Sequence, residues 1–189
     1  MSHESVRRDL ESLSGLAAVM AGQSEAITRL ADRYAAVLRQ GGTLFFAGNG
    51  GSAAHAQHIA AEYVVRLSRP RRPLRAMALS VDPSVLTAAG NDLGFALVFS
   101  RQIEALARPG DLVLLISTSG QSANLIRAAE AARRVGAGVV ALLGRDGGAL
   151  AGLCDDAVIV PSTDTSRIQE LQLAIDHIIV DLVESELAP

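Results

Sequence analysis

From Glu4 to about Leu38, apolar residues return at helical spacing, interrupted by "AGQS" around Gly22, and this predicts one or two long helices at the start of the chain. After Gly41 and Gly42 the pattern changes. Short, nearly continuous apolar runs at Thr43 to Ala47, Arg75 to Leu79, Leu112 to Ser117, Val139 to Leu143 and Ala157 to Val160 alternate with amphipathic stretches. Such runs suit strands buried on both faces, so they predict a five-stranded parallel sheet between two layers of helices. The intervening helices are expected near Ala53 to Leu67, Pro83 to Ala89, Phe95 to Ala107, Ser122 to Val135 and Gly148 to Gly152. A last long helix is expected from about Thr165 to Glu186. The fold class is therefore α/β, a three-layer αβα sandwich of flavodoxin-like arrangement with long N-terminal and C-terminal helices. No repeat or linker divides it, and residues 1–189 are read as one domain with a helical extension over about 1–40.

In open α/β sheets ligands sit beyond the carboxyl ends of the strands, which directs attention to the loops leaving Ala47, Leu79, Ser117 and Leu143. The first, "GNGGSA" from Gly48 to Ala53, matches the loose dinucleotide pattern. An acidic residue about 20 positions later should then take the ribose hydroxyls, yet none stands between Glu62 and Asp82, and Asp82 comes after the second predicted strand. Nucleotide binding is disfavoured. Ser52 instead falls beside a helix N-terminus, where unpaired N–H groups and the helix dipole favour anions. The loop "ISTSGQSAN" repeats the arrangement with Ser117, Thr118, Ser119 and Ser122, four hydroxyls within six residues. Serines also cap helices without any ligand. Their density at the end of a central strand favours a phosphate cradle.

Composition narrows the chemistry. The chain of 189 residues carries a net charge of -3 and only 3% aromatic residues, so neither the basic footprint nor the stacking platforms of a nucleic-acid binder are present. Every formal positive charge comes from arginine, since the sequence contains no lysine. That removes a P-loop lysine and lysine Schiff-base chemistry. The one basic stretch, "RLSRPRRPLR" from Arg66 to Arg75, reads either as a solvated connector or as a rim that attracts an anion. The lone Cys154 forms no internal disulfide and reads as a small buried hydrophobe. The sequence shows no signal peptide and no run of the length of a membrane span, and the expectation is a soluble, cytoplasmic protein with no membrane partner.

Two pairs remain. His58 and Glu62 stand four apart on one predicted helix and emerge as neighbours, able to share a metal, a proton or a simple surface hydrogen bond. His55, one turn earlier, joins the same face. Gln169 and His177 are eight apart on the last helix, about 12 Å along its axis and about 80° around it, a demanding separation for one shared ligand. Asn91 and Asp92 follow Gly90, where a turn explains them as well as a ligand does.

Taken together, "GNGGSAAHAQHIAAE", "AAGNDLGF", "ISTSGQSAN", "DGG" and "RIQELQLAIDH" resemble the sugar isomerase (SIS) domain proteins, and within them the phosphoheptose isomerases, in the family's order over nearly the whole chain. The resemblance implies a divalent metal, usually zinc, held by His58, Glu62, Gln169 and His177. It also implies Glu62 and His177 as the proton-transfer pair. Ser117, Thr118, Ser119 and Ser122 would hold the phosphate, and Asn49, Gly50, Gly51, Ser52, Asn91 and Asp92, together with Glu62 and Gln169, would contact the sugar. The expected reaction converts D-sedoheptulose 7-phosphate to D-glycero-D-manno-heptose 7-phosphate through an enediolate. The sequence departs from many relatives at His55, where they carry an acidic residue.

Two other readings stay in view. One is a non-catalytic SIS domain of the replication-initiator-associating kind, which lacks the glutamate and final histidine that this chain retains. The other is an isomerase of a different phosphosugar. The long terminal helices and the resemblance both suggest a homotetramer with sites near subunit contacts.

Overall fold

The computed structural model describes residues 3–188. The chain opens with α1 (His3–Ala21) and α2 (Ser24–Arg39), separated by the predicted break at Gly22. The sheet and its crossovers follow as β1 (Leu44–Gly48), α3 (Gly51–Val64), β2 (Ala76–Ala78), α4 (Pro83–Asp92), α5 (Ser100–Leu106), β3 (Leu112–Ser117), α6 (Ala123–Val135), β4 (Gly138–Gly144), α7 (Gly148–Ala151) and β5 (Asp156–Val160). The chain ends in α8 (Thr165–Leu187). All strand pairs are parallel, in the order β2-β1-β3-β4-β5.

Strand alternation divides the core between the two faces. Phe46, Leu114, Ile116, Val140 and Leu142 point to one side, where they pack with Leu30 and Tyr34 of α2, Ile59 and Tyr63 of α3, and Ile175 and Ile179 of α8. Phe45, Ala47, Val113, Leu115, Val139 and Ala141 point to the other, against Ile103 of α5 and Leu125, Ala128 and Ala132 of α6. Both faces of the central strands are dry, which explains why these strands read as unbroken apolar runs rather than as alternating ones.

One sequence expectation changes in detail, and another gains its physical reason. The single helix expected over Phe95 to Ala107 is a 3-10 turn, Phe95–Leu97, followed by the separate α5. Ser100, the first residue of α5, turns its hydroxyl back to the Leu97 carbonyl (3.2 Å), an alternative to helical bonding that short hydroxyl side chains offer. Asp82 accepts from the N–H groups of Ser84 (2.8 Å) and Val85 (3.0 Å) and thereby caps α4, with Pro83 at the first helical position. That structural duty leaves no call for Asp82 to serve a ribose.

The arginine-rich segment after α3 is largely solvent-exposed, as a connector would be, but it is pinned to α8 at one point. Glu184 of α8 accepts hydrogen bonds from the backbone N–H groups of Leu67 (2.8 Å), Ser68 (2.9 Å) and Arg69 (2.9 Å). The fully buried Arg71 guanidinium lies 2.8 Å from the same carboxylate and donates to the Glu62 and Tyr63 carbonyls at the end of α3, at 2.6 and 2.9 Å. Burial alone pushes the Glu184 carboxyl up, but the three backbone donors and Arg71 outweigh it and hold the pKa down at about 2.

A carboxylate whose folded pKa lies below its ordinary 4.5 contributes stability that is present above pH 4.5 and lost as pH falls towards 2. Glu184→Gln removes that contribution and leaves the buried Arg71 charge without its carboxylate partner. Urea unfolding at pH 7 is expected to show a loss of about 3–5 kcal/mol. The difference from wild type should shrink between pH 4.5 and 2. A difference that stays constant across that range would show that the charge of Glu184 is not what holds the segment.

Candidate functional site

The order of the sheet reverses between β1 and β3, so the two loops leaving these strands flank one crevice. β1 ends at Gly48, where any side chain would collide: a Cβ there would lie 2.6 Å from the Ser52 carbonyl oxygen. The bare backbone lets α3 start tight against the strand and buries Ser52 in its first turn. Across the crevice, Asn49 and Asn124 exchange two side-chain amide hydrogen bonds, at 2.9 and 2.8 Å, tying the glycine loop to α6. The Asn49 amide is thus committed to holding the two loops in register.

In the second loop, Ser117 Oγ accepts from the Gly120 N–H (2.9 Å) and Ser119 Oγ from the Gln121 N–H (3.2 Å), so these two hydroxyls shape the turn itself. Ser122 stands at the N-cap of α6, yet its side chain makes no capping bond. Capping therefore does not explain the Ser122 hydroxyl, which stands at the positive end of a 13-residue helix. The loop is also held from behind, where the buried Gln172 side chain of α8 donates to the carbonyls of Ser117 (3.3 Å) and Leu142 (3.0 Å).

The acid–base groups meet where α3 runs alongside α8. Successive contacts climb both helices in the same direction: Gly51 against the Gln169 amide, His55 with Asp176, and His58 with His177. The two helices are therefore parallel neighbours. His58 Nε2 lies 3.0 Å from His177 Nε2 and 3.5 Å from Glu62 Oε1, and ligand atoms of all three residues fall within 4.8 Å of one another. Two nitrogens bound to one tetrahedral zinc at 2.0–2.1 Å would stand about 3.3 Å apart. Two imidazoles and a carboxylate are suitable donors for that ion. The separations and the chemistry both fit a divalent metal.

Gln169 lies one helical stretch below, lining a cavity of about 350 Å³ with Gly51, Ser52, His55 and His58. A Cβ on Gly51 would meet the Gln169 amide nitrogen at 2.7 Å, so the glycine makes room for that side chain. Gln169 and His58 thus line one cavity, while Glu62 and His177 are not among its lining residues. A larger cavity, about 550 Å³, opens among Thr43, Arg75, Arg108 and Asp111 at the amino ends of the strands. Its carboxylate, Asp111, is occupied with the N–H groups of Thr43 and Arg108, both at 2.7 Å. Chemistry rather than size selects the smaller one.

A match to the SIS domain family model covers residues 11–144. Phosphoheptose isomerase from Helicobacter hepaticus is 53% identical over 161 residues, spanning 85% of this chain and 82% of its own. Among solved structures, phosphoheptose isomerase from Neisseria gonorrhoeae superposes with a TM-score of 0.91 at 40% identity, covering 96% of this chain and 98% of that one. The enzyme from Francisella tularensis gives 0.94 at 33% identity, covering 98% and 99%. The chain belongs to the SIS domain family, among its phosphoheptose isomerases.

Within this SIS domain the predicted residues do not all converge. His58, Glu62 and His177 form one cluster, and Gln169, Gly51 and Ser52 share a cavity with His58. Gly50 precedes α3 as its N-cap with φ 55°, and Thr118 lies in the hydroxyl loop. Asn91 and Asp92 sit exposed at the end of α4, bonded to each other at 2.7 Å. No hydrogen bond among the described residues joins them to the triad or the hydroxyl loop.

Sequence reasoning missed Asp176, Arg71, Asn124 and Gln172. Asp176 is fully buried, 2.8 Å from His55 Nε2 at an angle outside regular hydrogen-bond geometry. Burial pushes its carboxyl pKa up, while His55 and His177 pull it back. The signal was available, since an aspartate beside a histidine in the apolar run "QLAIDHIIV" needs a partner inside the protein.

The loop geometry gives a sharp expectation. Gly120 holds φ +64°, and a Cβ there would sit 2.0 Å from the Gly147 carbonyl oxygen. Gly120→Ala should force the hydroxyl loop and the β4–α7 turn apart at a cost of roughly 2–4 kcal/mol. Urea unfolding checks this, and an unchanged midpoint would mean that the two loops are not packed as described.

Proposed function

We propose that this chain is an aldose–ketose isomerase that converts D-sedoheptulose 7-phosphate to D-glycero-D-manno-heptose 7-phosphate. The observation that carries this reading is the cluster of His58, Glu62 and His177, with His58 lining one cavity together with Gly51 and Ser52 of the glycine loop. The N-terminus of α6 with Ser117, Thr118, Ser119 and Ser122 holds the phosphate. Asn49, Gly50, Gly51, Ser52, Asn91, Asp92 and Gln169 position the sugar, Asn49 through its backbone while its amide braces the loop.

Glu62 takes a proton from C1 of the ketose as the electron pair moves towards the C2 oxygen. His177 passes a proton between the C1 and C2 oxygens, and return of a proton to C2 completes the aldose. His58, Glu62, Gln169 and His177 would hold a divalent metal, most simply zinc, which when bound supplies positive charge beside the enediolate oxygen. An imidazole nitrogen that faces a metal has no proton there. With Nε2 towards a metal, His177 would carry its proton on the other ring nitrogen, Nδ1, whereas the two oxygens of Glu62 allow both duties.

Retention of both Glu62 and His177 favours an enzyme over a non-catalytic SIS module. Among the described residues no helix is long and apolar enough to cross a membrane, and a cytoplasmic setting agrees with the single free cysteine. The exposed apolar side chains of α1, Val6, Leu10 and Val19, suit burial in a homotetramer with sites near subunit contacts.

The test is an NMR assay with D-sedoheptulose 7-phosphate in deuterated water, with and without a chelator. Conversion is expected, with deuterium entering at the carbon that exchanges its proton. Glu62→Gln should lower kcat by at least about 100-fold. Turnover of that variant at the unmodified rate would remove Glu62 as the base, and turnover that survives complete metal removal would remove the metal.

A further inference from the structure

We propose that the buried His55–Asp176 pair is a positioning device that sets the spacing between His58 and His177, and through it the affinity of the triad for a divalent metal. This inference rests on reading the triad as a metal site. His55 lies three residues before His58 on the same face of α3, and Asp176 immediately precedes His177 on α8. The side chains of His55 and Asp176 are 7% and 0% exposed, and their nearest atoms are 2.8 Å apart.

Neither Asp176 oxygen has a regular hydrogen-bond partner among the described residues, and the fully buried Tyr34 of α2 and Tyr63 of α3 are likewise without partners for their hydroxyls. Among the described residues, the one ion pair of this carboxylate is with the His55 imidazole. Losing it would leave a buried polar group uncompensated. The attraction draws α8 onto α3 one turn from the point where the two ligand nitrogens must meet.

A second buried contact acts further along the same pair of helices. Arg71 links the Glu62 carbonyl, at the end of α3, to Glu184 of α8. The triad therefore lies between two clamps. The His55–Asp176 clamp is the one adjacent to the ligands, and residues that orient ligands in this way typically change metal affinity 10–100-fold when replaced.

The experiment measures zinc affinity of metal-stripped full-length protein by competition with a chromophoric chelator, alongside the visible spectrum of the cobalt-loaded protein. Asp176→Asn and His55→Gln keep size and polarity so that folding survives. Val139→Ala, in the core on the other face of the sheet, controls for general loosening. Each pair variant is expected to weaken zinc binding about 10–100-fold and to dim the tetrahedral cobalt bands. The double variant should be no worse than either single one, as for two residues acting through one contact. The control should lower the melting temperature and leave zinc affinity within about twofold.

Pair variants that bind zinc as tightly as wild type would overturn the inference alone, as would a control that loses affinity equally. Wild-type protein that binds neither zinc nor cobalt would overturn the metal reading and this inference with it.

Discussion

The parallel seam between α3 and α8 is the constraint on which the site depends. Each helix is fixed to the sheet by its own apolar residues, Ile59 and Tyr63 on one and Ile175 and Ile179 on the other, all within one core. Hydrophobic burial brings the helices together but is non-directional and does not fix how one slides along the other. Polar contacts supply that register: the Gln169 amide over Gly51, His55 with Asp176, and Arg71 between the Glu62 carbonyl and Glu184. A slip of one residue on α3 or on α8 would carry His58 or His177, respectively, about 100° around its axis and away from the other. Buried ionic and polar groups are costly as sources of stability and better suited to specifying one arrangement. Here the arrangement they specify is the one that brings two imidazoles to 3.0 Å.

The sheet performs the complementary task for the two loops. β1 and β3 are hydrogen-bonded neighbours along their whole paired length, so Gly48 lies level with Ile116 and the loops begin side by side. The reciprocal Asn49–Asn124 bonds then close the crevice from one loop to the other, and Gln172 reaches from α8 to the end of β3. Apart from α4 with Asn91 and Asp92, the elements that carry candidate groups are thereby braced by one another: α3 by α8, the glycine loop by α6, and the hydroxyl loop by α8. A site assembled from such short-range contacts is organised before any ligand arrives, which is what transition-state stabilisation by fixed donors requires.

How far the sequence revealed this differs by level. Strand positions were legible to within one or two residues because burial on both faces leaves a dense apolar signal, as in Leu112–Ser117. The split of the expected Phe95 to Ala107 helix was not legible, because the amphipathic pattern of "FALVFSRQIEALA" continues across it. His58 and Glu62 were readable as a pair from helical spacing. Their meeting with His177, 119 residues away, depends on which helices become neighbours, and one chain's spacing does not encode that. Asp82 illustrates the reverse case: its distance from the glycine loop argued against a ribose contact, and the structure gives the positive reason in its cap of α4. The arginine-rich stretch was legible in part: most of it is exposed as its composition suggests, whereas the side chain of Arg71 is buried against Glu184.

That stretch also bears on how an anion would be held. With no lysine in the chain, positive charge resides only in arginine, and the most deeply buried guanidinium is spent on Glu184 and three carbonyls rather than on a ligand. The proposed phosphate cradle consists of hydroxyls, backbone N–H groups and the α6 N-terminus, all formally neutral. Partial charges of this kind act over the first turn of a helix and fade beyond it, unlike a cluster of full charges whose field extends towards the Debye length. The net charge of -3 gives no long-range attraction for an anionic sugar either. Discrimination would then rest on contact geometry: a phosphate gains from the cradle only once it is seated, with its oxygens aligned to donors that the Ser117 and Ser119 turns have already set in place.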